Sequence, residues 1–176
     1  MPNHTRNIVD ISVNSGETKE IFALAELKAK LDIAKGNFDF NSIIPMPKAL
    51  TEAWDVENPF EDHPDFKLEC GHLVPKSKLK RQRWLKLYGA DNSNDWSKDN
   101  WGTKWNAYSV WIEVNTKDTL EVDFSTAWSA PIPVFLELQK YCQEHGLGLS
   151  WNVSFEGDGY GNGYELTEED LTEWAS

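Results

Sequence analysis

Hydrophobic and polar positions alternate most cleanly at the two ends of the chain. Over residues 4–13, Ile8, Val9, Ile11 and Val13 are interrupted by Asp10 and Ser12, a half-buried strand that stops at Asn14-Ser15-Gly16. Over 147–155, Leu147, Leu149, Trp151, Val153 and Phe155 take every second place, with Gly148, Ser150, Asn152 and Ser154 between them. Residues 107–114 and 119–128 form two more strand-like runs, joined by Asn115-Thr116-Lys117-Asp118 as a hairpin. In the second run Leu120, Val122 and Phe124 alternate with Glu121, Asp123 and Ser125, which predicts one buried and one wet face.

Helical spacing fills the gaps. Ser15, Thr18 and the acids Glu17 and Glu20 open a helix whose apolar stripe is Phe22, Ala25, Leu27, Ala29, Leu31 and Ala34, and Gly36 stops it. Ala130-Pro131-Ile132-Pro133 leads into a helix over 134–145, with Phe135, Leu136, Leu138 and Tyr141 apolar and Gly146 as its stop. Residues 76–88 predict a short amphipathic helix ending at Gly89, and 167–174 a capped terminal one. Phe38 to Ile44 alternates as a short strand, which Pro45 and Pro47 prevent from continuing. The stretch 48–75, with Pro59, Pro64 and Pro75, reads as irregular. The order predicts one α+β domain over 1–176, with a largely antiparallel sheet, helices on one face and an inserted irregular or helical segment over 48–100.

Composition narrows the function classes. With 40% hydrophobic and 26% charged residues the chain has an ordinary globular balance and enough length to bury a core without staples. No run of about 18 apolar residues occurs, and Met1 to Arg6 does not open a signal segment, which predicts a cytoplasmic protein without a membrane. Cys70 and Cys142 cannot build a disulfide framework. The formal net charge of -12 disfavours general affinity for nucleic acid.

The charge is unevenly placed. Seven acids fall in 52–69, namely Glu52, Asp55, Glu57, Glu61, Asp62, Asp65 and Glu69, and seven more in 156–173, among them Glu168, Glu169 and Asp170. Between these blocks Lys76, Lys78, Lys80, Arg81, Arg83 and Lys86 put six bases in eleven residues. That strip is either a solvated helix face or, with Trp84 and Tyr88 beside it, a contact for single-stranded nucleic acid.

Motifs for chemistry are few. No nucleophile elbow, P-loop or dinucleotide glycine pattern occurs, so no catalytic residue is nominated and no cofactor is expected. Glu156 to Glu165 suggests a calcium loop, but Tyr160 stands where an oxygen ligand is needed, so a glycine-rich turn is expected. His63, Cys70 and His72 match no zinc module, and no metal is expected. Trp96, Trp101 and Trp105 lie within ten residues of one another in a predicted loop. They either cap the core or, with Lys104, Asn106 and Trp128, form a stacking surface for a nucleotide or small ligand.

Three segments carry a resemblance. Phe38-Asp39-Phe40-Asn41-Ser42-Ile43-Ile44-Pro45-Met46-Pro47, Asn100-Trp101-Gly102-Thr103-Lys104-Trp105-Asn106-Ala107-Tyr108 and Phe124-Ser125-Thr126-Ala127-Trp128-Ser129-Ala130-Pro131-Ile132-Pro133 resemble signatures of the YubB-like family of plasmid- and phage-borne proteins. The resemblance implies a ferredoxin-like α+β fold and brings no activity and no catalytic residues. Two cysteines could not hold an iron–sulfur cluster. If the three segments meet in space, they form one aromatic cluster at an end of the sheet. Together with the acidic blocks, the resemblance leads to the expectation of a non-enzymatic mobile-element protein that binds a host protein through an acidic surface, as a defence inhibitor or DNA mimic. Nucleotide binding at the tryptophans and single-stranded nucleic-acid binding at 76–86 stand as alternatives.

Overall fold

The computed structural model describes residues 3–51, 64–69, 72–155 and 164–166. In chain order its elements are β1 (His4–Val13), α1 (Thr18–Lys30), α2 (Lys48–Thr51), β2 (Phe66–Glu69), β3 (His72–Pro75), α3 (Lys78–Tyr88), α4 (Ser93–Trp101), β4 (Tyr108–Asn115), β5 (Thr119–Ala127), α5 (Ile132–His145), β6 (Leu147–Phe155) and β7 (Tyr164–Glu165). Two short 3-10 turns, Ile33–Lys35 and Phe40–Ser42, follow α1.

The alternation along β1 makes it the central strand, because every second residue from Thr5 to Ile11 is buried. It pairs antiparallel with β5 on one side and β6 on the other; β4 then flanks β5, and β7 flanks β6. The sheet order is β4-β5-β1-β6-β7. Without the inserted elements and β7, the chain runs β-α-β-β-α-β with its strands in spatial order second, third, first, fourth. That is the split βαβ order of a ferredoxin-like fold. Helix α1 buries Ala23, Leu24 and Leu27, and α5 buries Val134, Phe135, Leu138 and Cys142, in one core with the inner face of the sheet. The β2–β3 hairpin forms a separate two-stranded sheet.

The aromatic side chains of the three signature segments do meet. Phe38 stacks on Phe124 of β5 with ring centroids 4.7 Å apart, and Phe40 contacts Phe124 and Trp101 edge to face, each at 5.9 Å. Trp151 of β6 closes the group against Phe124 at 5.7 Å and Phe135 of α5 at 5.5 Å. Edge-to-face and offset contacts of this kind add about 0.5–1.5 kcal/mol each beyond area burial. The Trp151 indole N–H is satisfied inside the core by Asn7 Oδ1 at 3.1 Å.

Several expectations are corrected. Residues 38–44 hold the 3-10 turn Phe40–Ser42 rather than a strand: Asp39 accepts from Asn41 N at 3.0 Å, and Phe38 and Phe40 are both buried in the core. The expected tryptophan loop contains helix α4, whose Asn92 cap accepts from Asp95 N at 2.9 Å and whose end at Gly102 has φ 76°. A Cβ on Gly102 would also stand 2.8 Å from Pro133 Cδ, so the helix end and the start of α5 approach too closely for a side chain. Phe22 is 67% exposed, because the buried face of α1 is shifted onto Glu20, Ala23, Leu24 and Leu27. Within 48–100 the described residues are largely helical and hairpin; Arg81 ties α3 to Asp91 and, at 2.7 Å, to Glu69 of β2. The terminal helix expected over 167–174 and the glycine-rich turn lie outside the described residues.

Glu20 is a buried acid with a purely local task. Its carboxylate accepts from Ser15 Oγ at 2.7 Å, Ser15 N at 2.9 Å and Gly16 N at 3.1 Å. It also sits 3.1 Å from where a Cβ on Gly146 would be, at the left-handed end of α5. The Ser15 bonds, seconded by Gly16, hold its pKa below the ordinary glutamate value. A depressed carboxylate stabilises the folded state above the unfolded-state pKa, and that stabilisation is lost as pH falls through the folded value. Glu20→Gln is therefore expected to lower the melting temperature at neutral pH, with the gap to the parent closing below about pH 5. Thermal melts followed by circular dichroism from pH 3 to pH 8 check this, and a constant gap would remove the ionised carboxylate from the account.

Candidate functional site

The tryptophans read as one surface divide into two groups. Trp96 and Trp101 lie in the core, 5.6 Å apart edge to face, and the Trp101 indole donates to the Ile44 carbonyl at 2.9 Å. Neither can stack a ligand, because both rings are buried among core side chains. Asn106 is structural as well: its Oδ1 accepts from Phe40 N at 2.9 Å, and its Nδ2 donates to Asp39 at 2.6 Å. Lys104, Trp105 and Trp128 remain at the surface, with Trp105 40% and Trp128 60% exposed. The Lys104 ammonium lies 5.4 Å from the Trp105 ring and 5.9 Å from the Trp128 ring.

The backbone beneath these three is tightly held. Thr103 Oγ1 donates to Ala127 O at 3.0 Å, Ser129 Oγ to Gly102 O at 2.5 Å, and Thr126 Oγ1 to Ser129 O at 2.8 Å. Ser97 Oγ donates to Lys104 O at 2.7 Å, and Trp128 N to Asn3 O at 2.9 Å. Within this frame Trp128 adopts φ 77°, a left-handed conformation costing a bulky residue about 1–3 kcal/mol. Trp105 leans on Tyr108 at 5.9 Å, and Tyr108 shares a 2.5 Å hydrogen bond with His4 Nδ1.

The outer face of the sheet is a second candidate surface, one that no contiguous motif marks. The register sets Trp111, Asp123, Ile8, Asn152 and Glu165 in one row across five strands, and Val114, Glu121, Asp10 and Ser150 in the next. Trp111 is 68% exposed. Arg6 forks onto Asp123 at 2.5 and 2.8 Å. Asp10 and Glu121 face each other directly, and neither has an ion-pair partner among the described residues. Like charges directly opposed across strands destabilise a sheet unless a cation meets them. The wet positions Glu121 and Asp123 are visible in the sequence as the polar half of the β5 alternation. Asp10 and Glu165 join them only through strand pairing.

The other expected site residues are scattered. Glu52, Asp55, Glu57, Glu61, Asp62, Glu168, Glu169 and Asp170 lie outside the described residues, and Asp65 is exposed. In the basic strip, Lys76, Lys78 and Arg83 are exposed, but Arg81 is engaged by Glu69 and Asp91, and Lys80 lies over Phe66 and Trp84 at 4.8 and 5.0 Å. Trp84 is buried and Tyr88 half-buried, so of the two rings expected beside these bases only Tyr88 reaches the surface, next to Lys80 and Arg83. Among the described residues no group of three His, Cys, Asp or Glu could hold a metal ion; His63 and Cys70 lie outside them. Burial pushes the Cys142 thiol up to about 12, so it offers no thiolate at neutral pH. No helix among the described residues is long and apolar enough to cross a membrane.

Fold and surface together define an α+β protein whose sheet has one helix-covered face and one that no helix covers among the described residues. Comparison with protein-family models, curated proteins and solved structures finds no match.

The division of the tryptophans predicts opposite outcomes for two neighbours. Trp101→Ala should cost about 3–5 kcal/mol as a core truncation. Trp105→Ala should cost less than about 1 kcal/mol, as expected for a surface residue. Urea unfolding of both variants measures the contrast, and similar midpoints would contradict it.

Proposed function

We propose that this is a non-enzymatic binding protein of mobile-element origin, which receives a basic surface of a host protein on its open sheet face in the host cytoplasm. The observation that carries the reading is the unpaired opposition of Asp10 and Glu121, set beside Asp123, Glu165 and the exposed Trp111. A lysine or arginine between the two carboxylates relieves their repulsion, and the Trp111 ring offers its face to a second cation. The mobile-element origin rests on the three segments that resemble the YubB-like family.

Duplex mimicry is the weaker form of this proposal. DNA presents one charge per 1.7 Å of axis. Strands in a sheet stand about 4.8 Å apart and side chains on one face about 7 Å apart along a strand, so these carboxylates are sparser than phosphates. They fit a basic protein segment better than a nucleic-acid-binding groove.

The test uses Asp10→Lys, which turns the like-charge pair into an opposite-charge pair and should leave the protein equally stable or up to about 1 kcal/mol more stable. Full-length protein immobilised at low salt captures partners from host lysate; each is identified, purified and titrated against both proteins. The expected result is a partner whose affinity falls steeply with ionic strength and drops at least tenfold with Asp10→Lys. Absence of any partner at low salt, or a partner indifferent to the substitution, would overturn the proposal.

A further inference from the structure

Lys104 combines a cation without a carboxylate with exposed rings. Arg6, Lys19, Lys35, Lys67, Arg81, Lys98 and Lys117 each meet a carboxylate, and Lys80, which like Lys104 lies over two aromatic rings, covers the buried Phe66 and Trp84. Lys104 has no carboxylate partner among the described residues and instead holds its ammonium near two exposed indole rings. Its own carbonyl is pinned by Ser97, and one of the two indoles stands on a backbone with φ 77°. A Trp that merely filled surface space would be replaced at no structural loss by Gly or Asn, which adopt that φ freely. Strain retained at an exposed, well-buttressed aromatic marks a site where the side chain itself is used.

We infer that Lys104, Trp105 and Trp128 form a binding site for a nucleoside monophosphate, with the base on an indole face and the phosphate on the Lys104 ammonium. Indole faces accept any nucleobase, and one unpaired ammonium matches one phosphate. A single ammonium offers charge for one phosphate and not for a chain of them, which selects a mononucleotide over a single strand. This site is independent of the protein-binding face proposed above.

Isothermal titration of the full chain with AMP, GMP, CMP and UMP tests the inference, with inorganic phosphate, adenosine and a twelve-residue oligothymidylate as the other arms. At least one monophosphate should bind, and phosphate and adenosine should each bind at least tenfold more weakly. Trp105→Ala, Trp128→Gly and Lys104→Met should each lower that affinity about tenfold or more. Because glycine relieves the strained φ, Trp128→Gly should keep its melting temperature within about 3 °C of the parent or raise it. Should it unfold instead, Trp105→Ala and Lys104→Met carry the same test. No heat from any monophosphate up to about 5 mM, or binding unchanged in the folded variants, overturns the site. Tighter binding of the oligonucleotide than of any monophosphate overturns the choice of ligand and identifies a single-strand contact.

Discussion

The structure turns on Phe124. This one ring, at an inward position of β5, is stacked by Phe38 and met edge to face by Phe40 and Trp151. Through those contacts it ties together the 3-10 turn after α1, the central strands and, by way of Phe40 and Trp101, helix α4. The segments are far apart in the chain, so the contacts form only when the sheet is assembled; they reward the long-range pairing that makes such a topology slow to close. Polar side chains reinforce the same junction. Asn106 bonds Phe40 N and Asp39, and Trp101 bonds the Ile44 carbonyl, which leaves few buried donors there without a partner.

Elements with a strict period were legible from the residues alone. The four strands of the β-α-β-β-α-β frame and helix α5 lie within a residue or two of where alternation and glycine stops place them. The failures share a cause. Residues 38–44 alternate like a strand, yet Asp39 and Asn41 supply their own local hydrogen bonds, and a side-chain-capped turn outcompetes the strand. Helix α4 is rich in Asn, Asp and Ser, residues of poor helix propensity, so its composition suggests a loop. Tertiary burial of Trp96 and Trp101 decides the matter instead. Phe22 belongs to the stripe by type but not by angle, and Glu20 takes an inward place because its carboxylate is fully occupied by Ser15 and Gly16.

Site residues were less legible than elements, for a geometric reason. A contiguous acidic or basic run is visible in a sequence but says nothing about what its charges meet; Arg81 is spent on Glu69 and Asp91, which the run of bases could not reveal. The acids of the open sheet face come from β1, β5 and β7, each contributing one or two, and become a surface only through register. The same holds for the indoles. Four residues part Trp96 from Trp101 and three part Trp101 from Trp105, and only the end of α4 at Gly102 separates the buried pair from the exposed one.

That boundary at Gly102 links stability to surface chemistry. Pro133 packs too closely for any side chain there, and Ser129 anchors the Gly102 carbonyl, so the chain leaving α4 has one path. The path carries Lys104 and Trp105 outward beside the end of β5, where the Thr103 hydroxyl holds the Ala127 carbonyl and the Thr126 hydroxyl that of Ser129, one on each side of the strained Trp128. A rigid aromatic interior thus fixes the positions of three exterior groups that make no contribution to it. Preorganisation of that kind lowers the entropy lost when a ligand is bound. It also means that core and surface substitutions in this region should be energetically coupled through the 102–103 and 127–129 backbone rather than through direct side-chain contact.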